Sequence, residues 1–440
     1  MRTRIALSLV LAAAAAAVAV PAAADAAREP YVAIPGAVGP GPAKYNRVFV
    51  HQFGSPRASR VLVLVPGYIG GAGDFTQLAR QLIARVPDLQ VWALDRRENA
   101  LEDTSVFRTG TPQQAYDYYF GLKANYIDGT RDTPFARGWG LKLALEDLRK
   151  VVLKARAGGR RQVILGGHSL GASTTAAYAS WDFNGHPGYR DIKAMVLIDG
   201  GLLGSFSHPQ LATVKRRAAA IRTGDPFVTL FNGLPPWSAG VFAELAGMYA
   251  KRLPGAASAL QASPVVPASL KPAVRVTNQA ALGYALDFRT SLKALALIQV
   301  DSGRLAQSGD PRPWQNTGLT PIGNVASGFF QEPGNFVEWY FPAKLTLDVD
   351  GADALSRNSI TNYLGLRTWH RAEINVPLYA EQTSLTRGNV LRGARRLFRS
   401  SRIPRATYVN VPNSHHVDPL LAAPSKNVFL RTVVPFLKSL

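Results

Sequence analysis

The sequence predicts an α/β fold, a mostly parallel central sheet with helices on both faces and one large helical insertion. Three observations predict it. Short apolar runs of the kind buried on both faces of a parallel sheet alternate with helical segments through the first half of the chain. One such run, Gln162-Val163-Ile164-Leu165, leads into Gly167-His168-Ser169-Leu170-Gly171, and a small-residue helical stretch from Ala172 to Ala179 leaves it. From about Leu202 to Arg371 the alternation stops, and it resumes only near the C-terminus.

The chain opens with a targeting pattern. Arg2 and Arg4 precede an apolar run from Ile5 to Val20, and Ala22-Ala23-Ala24 or Ala24-Asp25-Ala26 supplies a small-x-small cleavage site. The run is mostly alanine and falls short of the roughly 20 strongly apolar residues of a membrane span. Residues 1–26 are therefore expected to be a signal peptide, and the mature protein to be secreted or held in the cell envelope. No transmembrane segment is expected after its removal.

About 410 remaining residues exceed one ordinary core, which predicts one catalytic domain with a large insertion, or two domains. With no cysteine in the chain, disulfides, thiolate chemistry and cysteine-ligated zinc are excluded. The formal net charge is +21. Part of it is one helical stripe, Arg392, Arg395, Arg396 and Arg399, beside an apolar face of Leu391, Ala394, Leu397 and Phe398. The stripe reads as a solvated helix face, with an anionic envelope or polymer surface as its alternative partner. Nucleic acid is not expected, since no recognised binding module accompanies the charge.

Arg47-Val48-Phe49-Val50, the stronger run Arg60 to Val65, and Gln90 to Asp95 read as the first strands. After the second comes Pro66-Gly67-Tyr68-Ile69-Gly70-Gly71, which lacks the Gly-Lys-Ser/Thr ending of a phosphate loop. Asp74 is placed to cap the helix that runs to about Arg85. A longer helix is expected from Trp139 to Ala155, burying Leu141, Leu145, Leu148, Val152 and Ala155 and pairing Glu146 with Lys150 on its outer side.

The strand, G-x-S-x-G and helix together form a nucleophile elbow. A serine hydroxyl attacks only when it protrudes toward a base and a substrate, and the tight turn that makes it protrude leaves no room for side chains at Gly167 and Gly171. The Leu170 N–H, opening the helix, faces a developing oxyanion. The Gly-His-Ser-Leu-Gly-Ala run, 167–172, resembles the α/β-hydrolase family in its lipase and esterase branch. The likeness is specific over the first half of the chain and weaker after about Gly204. It implies an ester- or amide-cleaving site, and it implies that the loop after the second strand supplies the other oxyanion N–H, which falls on Tyr68. Aspartate-based dehalogenase and epoxide-hydrolase chemistry is excluded by the serine at position 169.

Ala194 to Ile198 is another buried strand, ending in Asp199. Residues 202–371 form the expected cap or lid, dividing the catalytic core into 27–201 and 372–440. Helices are expected there from Val241 to Lys251 and from Gln279 to Leu297. The aromatics Phe227, Phe231, Trp237, Phe329, Phe330, Trp339 and Tyr340 line an apolar acyl pocket or form the cap's own core. Asp348, Asp350 and Asp353 depart from the calcium-loop pattern, so no metal is expected, and no cofactor.

The sheet resumes at Val376 to Glu381. The family's usual Gly-x-x-Asp after this strand is absent, which leaves Asp199 or Glu381 as the acid and favours Asp199. Ala406 to Val411 is the last strand, followed by His415-His416-Val417-Asp418. His-x-Asp resembles the family's histidine site, so His416 is the expected base and His415 its alternative. His168, inside the elbow, is expected to pack. A terminal helix spans Lys426 to Leu440. The expected protein is an exported serine hydrolase acting on an apolar or lipid-like carboxylic ester. Its alternatives are an acyltransferase or peptidase on the same triad, and an envelope-binding protein that has lost the acid.

Overall fold

The computed structural model describes residues 29–230, 234–264, 266–331 and 333–440. The expected signal peptide and Phe231 lie outside them. At its centre is an eight-stranded sheet. In chain order the strands are β1 (Tyr31–Pro35), β2 (Arg47–Phe53), β3 (Arg60–Val65), β4 (Leu89–Asp95), β5 (Gln162–His168), β6 (Ala194–Ile198), β7 (Leu378–Gln382) and β8 (Ala406–Asn410). Their spatial order is β1-β2-β4-β3-β5-β6-β7-β8. The pairs β1–β2 and β2–β4 are antiparallel, and every pair from β4 to β8 is parallel.

The helices that matter for the site are α1 (Thr76–Ile83), α2 (Pro112–Tyr119), α3 (Leu141–Arg156), α4 (Leu170–Ser180), α5 (Leu211–Thr223), α6 (Ser238–Arg252), α7 (Asn278–Leu286), α8 (Ile322–Phe329), α9 (Ala343–Gly351), α10 (Asn389–Arg399) and α11 (Val428–Lys438). α3 and α4 pack side by side on one face of the sheet, α1 and α11 on the other. β3, β5 and β6 run through the middle of this sandwich, and their apolar side chains are almost wholly buried. That is why they read as continuous apolar runs instead of alternating ones.

Several local expectations change. Asp74 does not cap α1: it sits in a preceding 3-10 turn, Ala72–Phe75, with its side chain turned inward. Glu146 lies 4.0 Å from Lys142, one turn back, instead of pairing with Lys150. The helix expected over 279–297 ends at Leu286, because Asp287 leaves helical geometry and uses its carboxylate to bind the Ser302 and Gly303 N–H groups at 2.8 and 2.9 Å. On α10, Leu391, Ala394 and Leu397 are buried beneath the exposed arginine stripe, but Phe398 lies on the exposed side.

The long segment after β6 is divided between two cores. Val276, Ala280, Leu286, Ile322 and Phe329 join the main core against the sheet. Phe227, Leu245, Met248, Trp339 and Tyr340 form a second core with Leu101, Phe107, Tyr119 and Trp139, which come from the connection between β4 and α3. Most of the aromatics expected to line a pocket are spent here: Trp339 is edge-on to Tyr119, and Trp237 stacks on Tyr126. Among the described residues no helix is long and apolar enough to cross a membrane, and no group of three or more His, Asp or Glu side chains is placed to hold a metal ion.

Candidate active site

The site is built at the C-terminal ends of β3, β5, β6 and β7, where the connections turn toward one another. Ser169 sits between β5 and α4 with φ 56° and ψ −123°, a left-handed conformation that costs energy in any residue other than glycine. Its neighbours explain how the turn is tolerated. A Cβ on Gly171 would fall 2.0 Å from the Val65 carbonyl oxygen, and one on Gly167 would fall 2.3 Å from the Gly171 backbone. A third glycine, Gly200, passes the Ser169 carbonyl oxygen so closely that a Cβ would approach it to 2.1 Å. The elbow is closed from both sides by backbone alone. The Ser169 N–H donates to the Ile198 carbonyl at 2.9 Å, tying the turn to the end of β6.

β6 delivers Asp199 to the same place, and the last connection delivers His416. His416 Nδ1–H donates to Asp199 Oδ2 at 2.5 Å. The proton on Nδ1 leaves Nε2 free as a base, and Nε2 is buried with no hydrogen-bond partner among the described residues. Asp199 also accepts from the Thr383 N–H at 2.8 Å and from the Thr383 hydroxyl. Burial pushes its carboxyl upward, but the bonds from His416 and Thr383 outweigh it and hold the group below the usual aspartate range. Thr383 was not singled out in the sequence; nothing local marks a threonine after a strand as a carboxylate partner.

Glu381 is turned away from this cluster. Its side chain accepts from the Tyr379 hydroxyl at 3.1 Å, and burial pushes its pKa up to about 8. It supports the site only through its backbone, whose carbonyl accepts the Asp199 N–H at 2.9 Å. His168 packs against the His416 ring and bonds the His416 carbonyl oxygen through Nε2 at 2.8 Å. Burial and the neighbouring His416 drive its pKa down to about 3, so it is a neutral packing group. His415 stacks on Phe288 outside the cluster. Asp418, the end of the His-x-Asp pattern, binds the His415 and Asp301 N–H groups and the Thr320 hydroxyl. It organises the turn and does not touch His416.

The sheet order, its antiparallel second strand and the serine on a strained turn between β5 and α4 decide the fold. The chain has the α/β-hydrolase fold.

The loop after β3 lies against the elbow, so close that a Cβ on Gly67 would come 3.1 Å from the Ser169 Cβ. Leu170, the first residue of α4, has an N–H with no acceptor inside its own helix. The Tyr68 N–H makes no hydrogen bond among the described residues. The loop itself is held by Arg96, the residue after β4. Its buried guanidinium donates to the carbonyls of Pro66, Gly67 and Gly70, the last two at 3.0 Å, and to Glu338 Oε2 at 3.0 Å. From the opposite side the Phe336–Glu338 segment pairs with the loop: Gly71 N–H donates to Phe336 O at 3.1 Å and Glu338 N–H to Ile69 O at 2.7 Å. Sequence reading missed Arg96 and Glu338, which are 242 residues apart.

The sequence matches no family model and has no curated relative at a significant level. Among solved structures the chain is similar to a candidate lipase from Sulfolobus solfataricus, with 14% identity and a TM-score of 0.49 over 91% of this chain and 92% of that one. It is also similar to a monoacylglycerol lipase from Paleococcus ferrophilus, with 14% identity and a TM-score of 0.42 over 89% and 98% of the two chains. A third is epoxide hydrolase A from Mycobacterium thermoresistibile, with 12% identity and a TM-score of 0.44 over 93% and 98%. None of these likenesses carries a substrate to this chain, and the fold rests on its own sheet order and elbow.

Proposed function

We propose that the protein is an exported serine hydrolase that cleaves carboxylic esters through an acyl-enzyme on Ser169. The observation that carries this reading is that the strained elbow serine and His416, itself paired with the buried Asp199, line one small cavity. Ser169 Oγ attacks the ester carbonyl carbon, and its proton passes to His416 Nε2. The negative charge that develops on the carbonyl oxygen is held by the Tyr68 and Leu170 N–H groups. Collapse breaks the ester C–O bond, and the alcohol leaves with the proton from His416. Water then repeats the sequence on the acyl-enzyme, giving its proton to His416 and releasing the acid and Ser169. Asp199 holds the imidazole in the tautomer this requires and stabilises the imidazolium. The buried, hydrogen-bonded Asp199 speaks against the alternative of a binding protein that has lost its acid. Export is supported by the N-terminal pattern of residues 1–26, and the N-terminal sequence of protein recovered from culture medium or envelope tests it.

The test of the chemistry is turnover of a p-nitrophenyl ester series by the mature protein and by Ser169→Ala. Turnover that disappears in the variant is the expected result, with a loss of about 10⁴-fold or more. Equal, near-background rates in both proteins would sink it. Adding an alcohol or amine acceptor to the same assay separates hydrolysis from acyl transfer, since a transferase makes new ester or amide faster than free acid.

A further inference from the structure

The outer face of α10 carries charge that nothing around it answers. From Gln382 to Val417 the chain has seven arginines, no lysine, and no aspartate or glutamate. Arg392, Arg395, Arg396 and Arg399 are all exposed along α10, and Arg402 and Arg405 continue the exposed run to the start of β8. Among the described residues none of these six lies within ion-pair distance of a carboxylate. Other surface arginines are paired: Arg217 reaches Asp350 at 2.6 Å, and Arg289 reaches Asp287 and Asp301 at 3.1 and 2.9 Å. The α10 arginines turn to neutral groups instead. Arg392 donates to Asn389, Arg396 donates to the Leu203 carbonyl at 3.0 Å, and Arg395 lies 5.1 Å over the Tyr408 ring.

This arrangement works against the helix that carries it. Arg392 stands one turn from Arg395 and Arg396, and Arg399 one turn from the same two, a spacing at which like charges weaken a helix. A face that served solubility alone would intersperse both signs. Beside the stripe, the Tyr408 hydroxyl is buried with no hydrogen-bond partner among the described residues, and Arg395 and Arg399 are the charged groups near it. Burial raises its pKa against the pull of both arginines, so it remains a donor. The surface therefore offers guanidinium forks and a hydroxyl donor, which match oxyanions.

Three kinds of partner fit this face poorly. An interfacial helix buries its apolar side among lipid chains, but Leu391, Ala394 and Leu397 are already buried against the protein, and only Phe398, 36% exposed, is left. A second copy docked face to face would meet the same positive charge. Single-stranded nucleic acid stacks its bases on open aromatic rings, and Tyr408 is covered by Arg395. A simpler polymer meets none of these objections. Arginines recur at each helical turn of about 5.4 Å, so a chain of closely repeated oxyanions gives each guanidinium its own partner.

We infer that the outer face of α10, with the adjoining edge strand β8, is a docking surface for a linear polyanion carrying an oxyanion at each repeat. The inference stands apart from the hydrolase reading. It places the polymer beside the candidate site all the same: a Cβ on Gly393 of α10 would fall 2.3 Å from the Leu202 carbonyl oxygen, and Leu202 lines a cavity with Ser169.

The test is the affinity of the full mature chain for end-labelled, long-chain inorganic polyphosphate, read by fluorescence anisotropy over a range of salt. The wild type is compared with Arg392→Gln/Arg395→Gln/Arg399→Gln and with Lys150→Gln/Lys154→Gln/Arg160→Gln, which removes the same charge from exposed positions on α3 and just after it. At about 0.1 M salt the α10 variant is expected to lose about tenfold or more in affinity and the other variant less than about threefold. The slope of log affinity on log salt is expected to fall by about two in the α10 variant, for three phosphate contacts at about 0.7 each. Equal losses in the two variants would reduce the binding to net charge and overturn the assignment, as would a wild type that does not bind. Competition on the wild type needs no variant to fold. Phosphatidylglycerol vesicles or oligothymidylate that displace polyphosphate at a lower phosphate concentration would overturn the simple polymer in favour of a membrane or a nucleic acid. The α10 variant loses its like-charge pairs, so its melting temperature is expected to be no lower than that of the wild type.

Discussion

At the scale of single residues, the site depends on which of two buried carboxyls is ionised. Asp199 and Glu381 sit at adjacent strand ends, joined by a backbone hydrogen bond, yet their surroundings push them in opposite directions. Asp199 receives His416 and both Thr383 donors; Glu381 has one bond, from Tyr379, in an otherwise apolar setting. A proton on Glu381 is therefore stable at neutral pH, while Asp199 stays charged. Asp199→Asn is expected to lower kcat by about 10³- to 10⁴-fold, because the amide presents N–H to Nδ1 and favours the wrong tautomer. Glu381→Gln keeps the shape and the neutral charge, so kcat on the same p-nitrophenyl ester is expected to stay within about threefold. A large loss in the glutamine variant with a mild one in the asparagine variant would reverse these roles.

At the scale of elements, the end of β4 positions the loop after β3. Arg96 binds three carbonyls of the loop that, in the proposed mechanism, presents the Tyr68 N–H to the substrate oxygen, and Glu338 holds the guanidinium in turn. A lysine at 96 keeps a positive charge but presents a single point donor set in place of a planar fork, so some of the loop carbonyls lose their partner. Arg96→Lys is expected to lower kcat about 10- to 100-fold with KM nearly unchanged, the pattern of an oxyanion interaction made only in the transition state. A change confined to melting temperature, with kcat intact, would make Arg96 a purely structural residue. The segment that supplies Glu338 thus helps to hold the loop after β3.

At the scale of the whole molecule, the interior behind that loop is crowded with carboxyls. Asp74, Asp95, Glu98 and Glu338 are buried around Arg96, and Glu102 stands beside Asp95 and Glu338. Burial raises Asp95 to about 6 and Glu98 to about 7, and pushes Asp74, Glu102 and Glu338 well above the usual range. Glu98 and Glu338 each keep one oxygen with no hydrogen-bond partner among the described residues. These folded-state values lie above those of the unfolded chain, so the folded protein binds more protons between them. The stability these groups contribute is full below about pH 4 and is lost as pH rises through the folded values. Asp199 works in the opposite sense only at acid pH, and between pH 5 and pH 8 the opposing groups are His51, His168 and His415, held by burial below the usual imidazole range, three against the five carboxyls. The melting temperature is expected to fall between pH 5 and pH 8, measured by calorimetry at constant ionic strength; a rise over that interval would contradict the protonated cluster.

Much of this architecture was legible because its demands are local. A strand buried on both faces has to be apolar throughout, a serine on a strained elbow needs glycines two residues to either side, and the chain order of strand, elbow and helix is written in consecutive residues. His416 was marked by its neighbours in the same way. The choice between Asp199 and Glu381 was not, because both are acids at strand ends and only the approach of Thr383 and His416 from distant segments separates them. Arg96 looked like one more basic residue in a chain of net charge +21, and its role appears only where three carbonyls and Glu338 converge on it. The sequence by itself determined the main strands, the elbow and the chain order of Ser169, Asp199 and His416, because these follow from periodicity and local sterics. Tertiary structure alone decided which acid pairs with His416 and what holds the loop after β3, because burial and the convergence of distant segments are properties of packing.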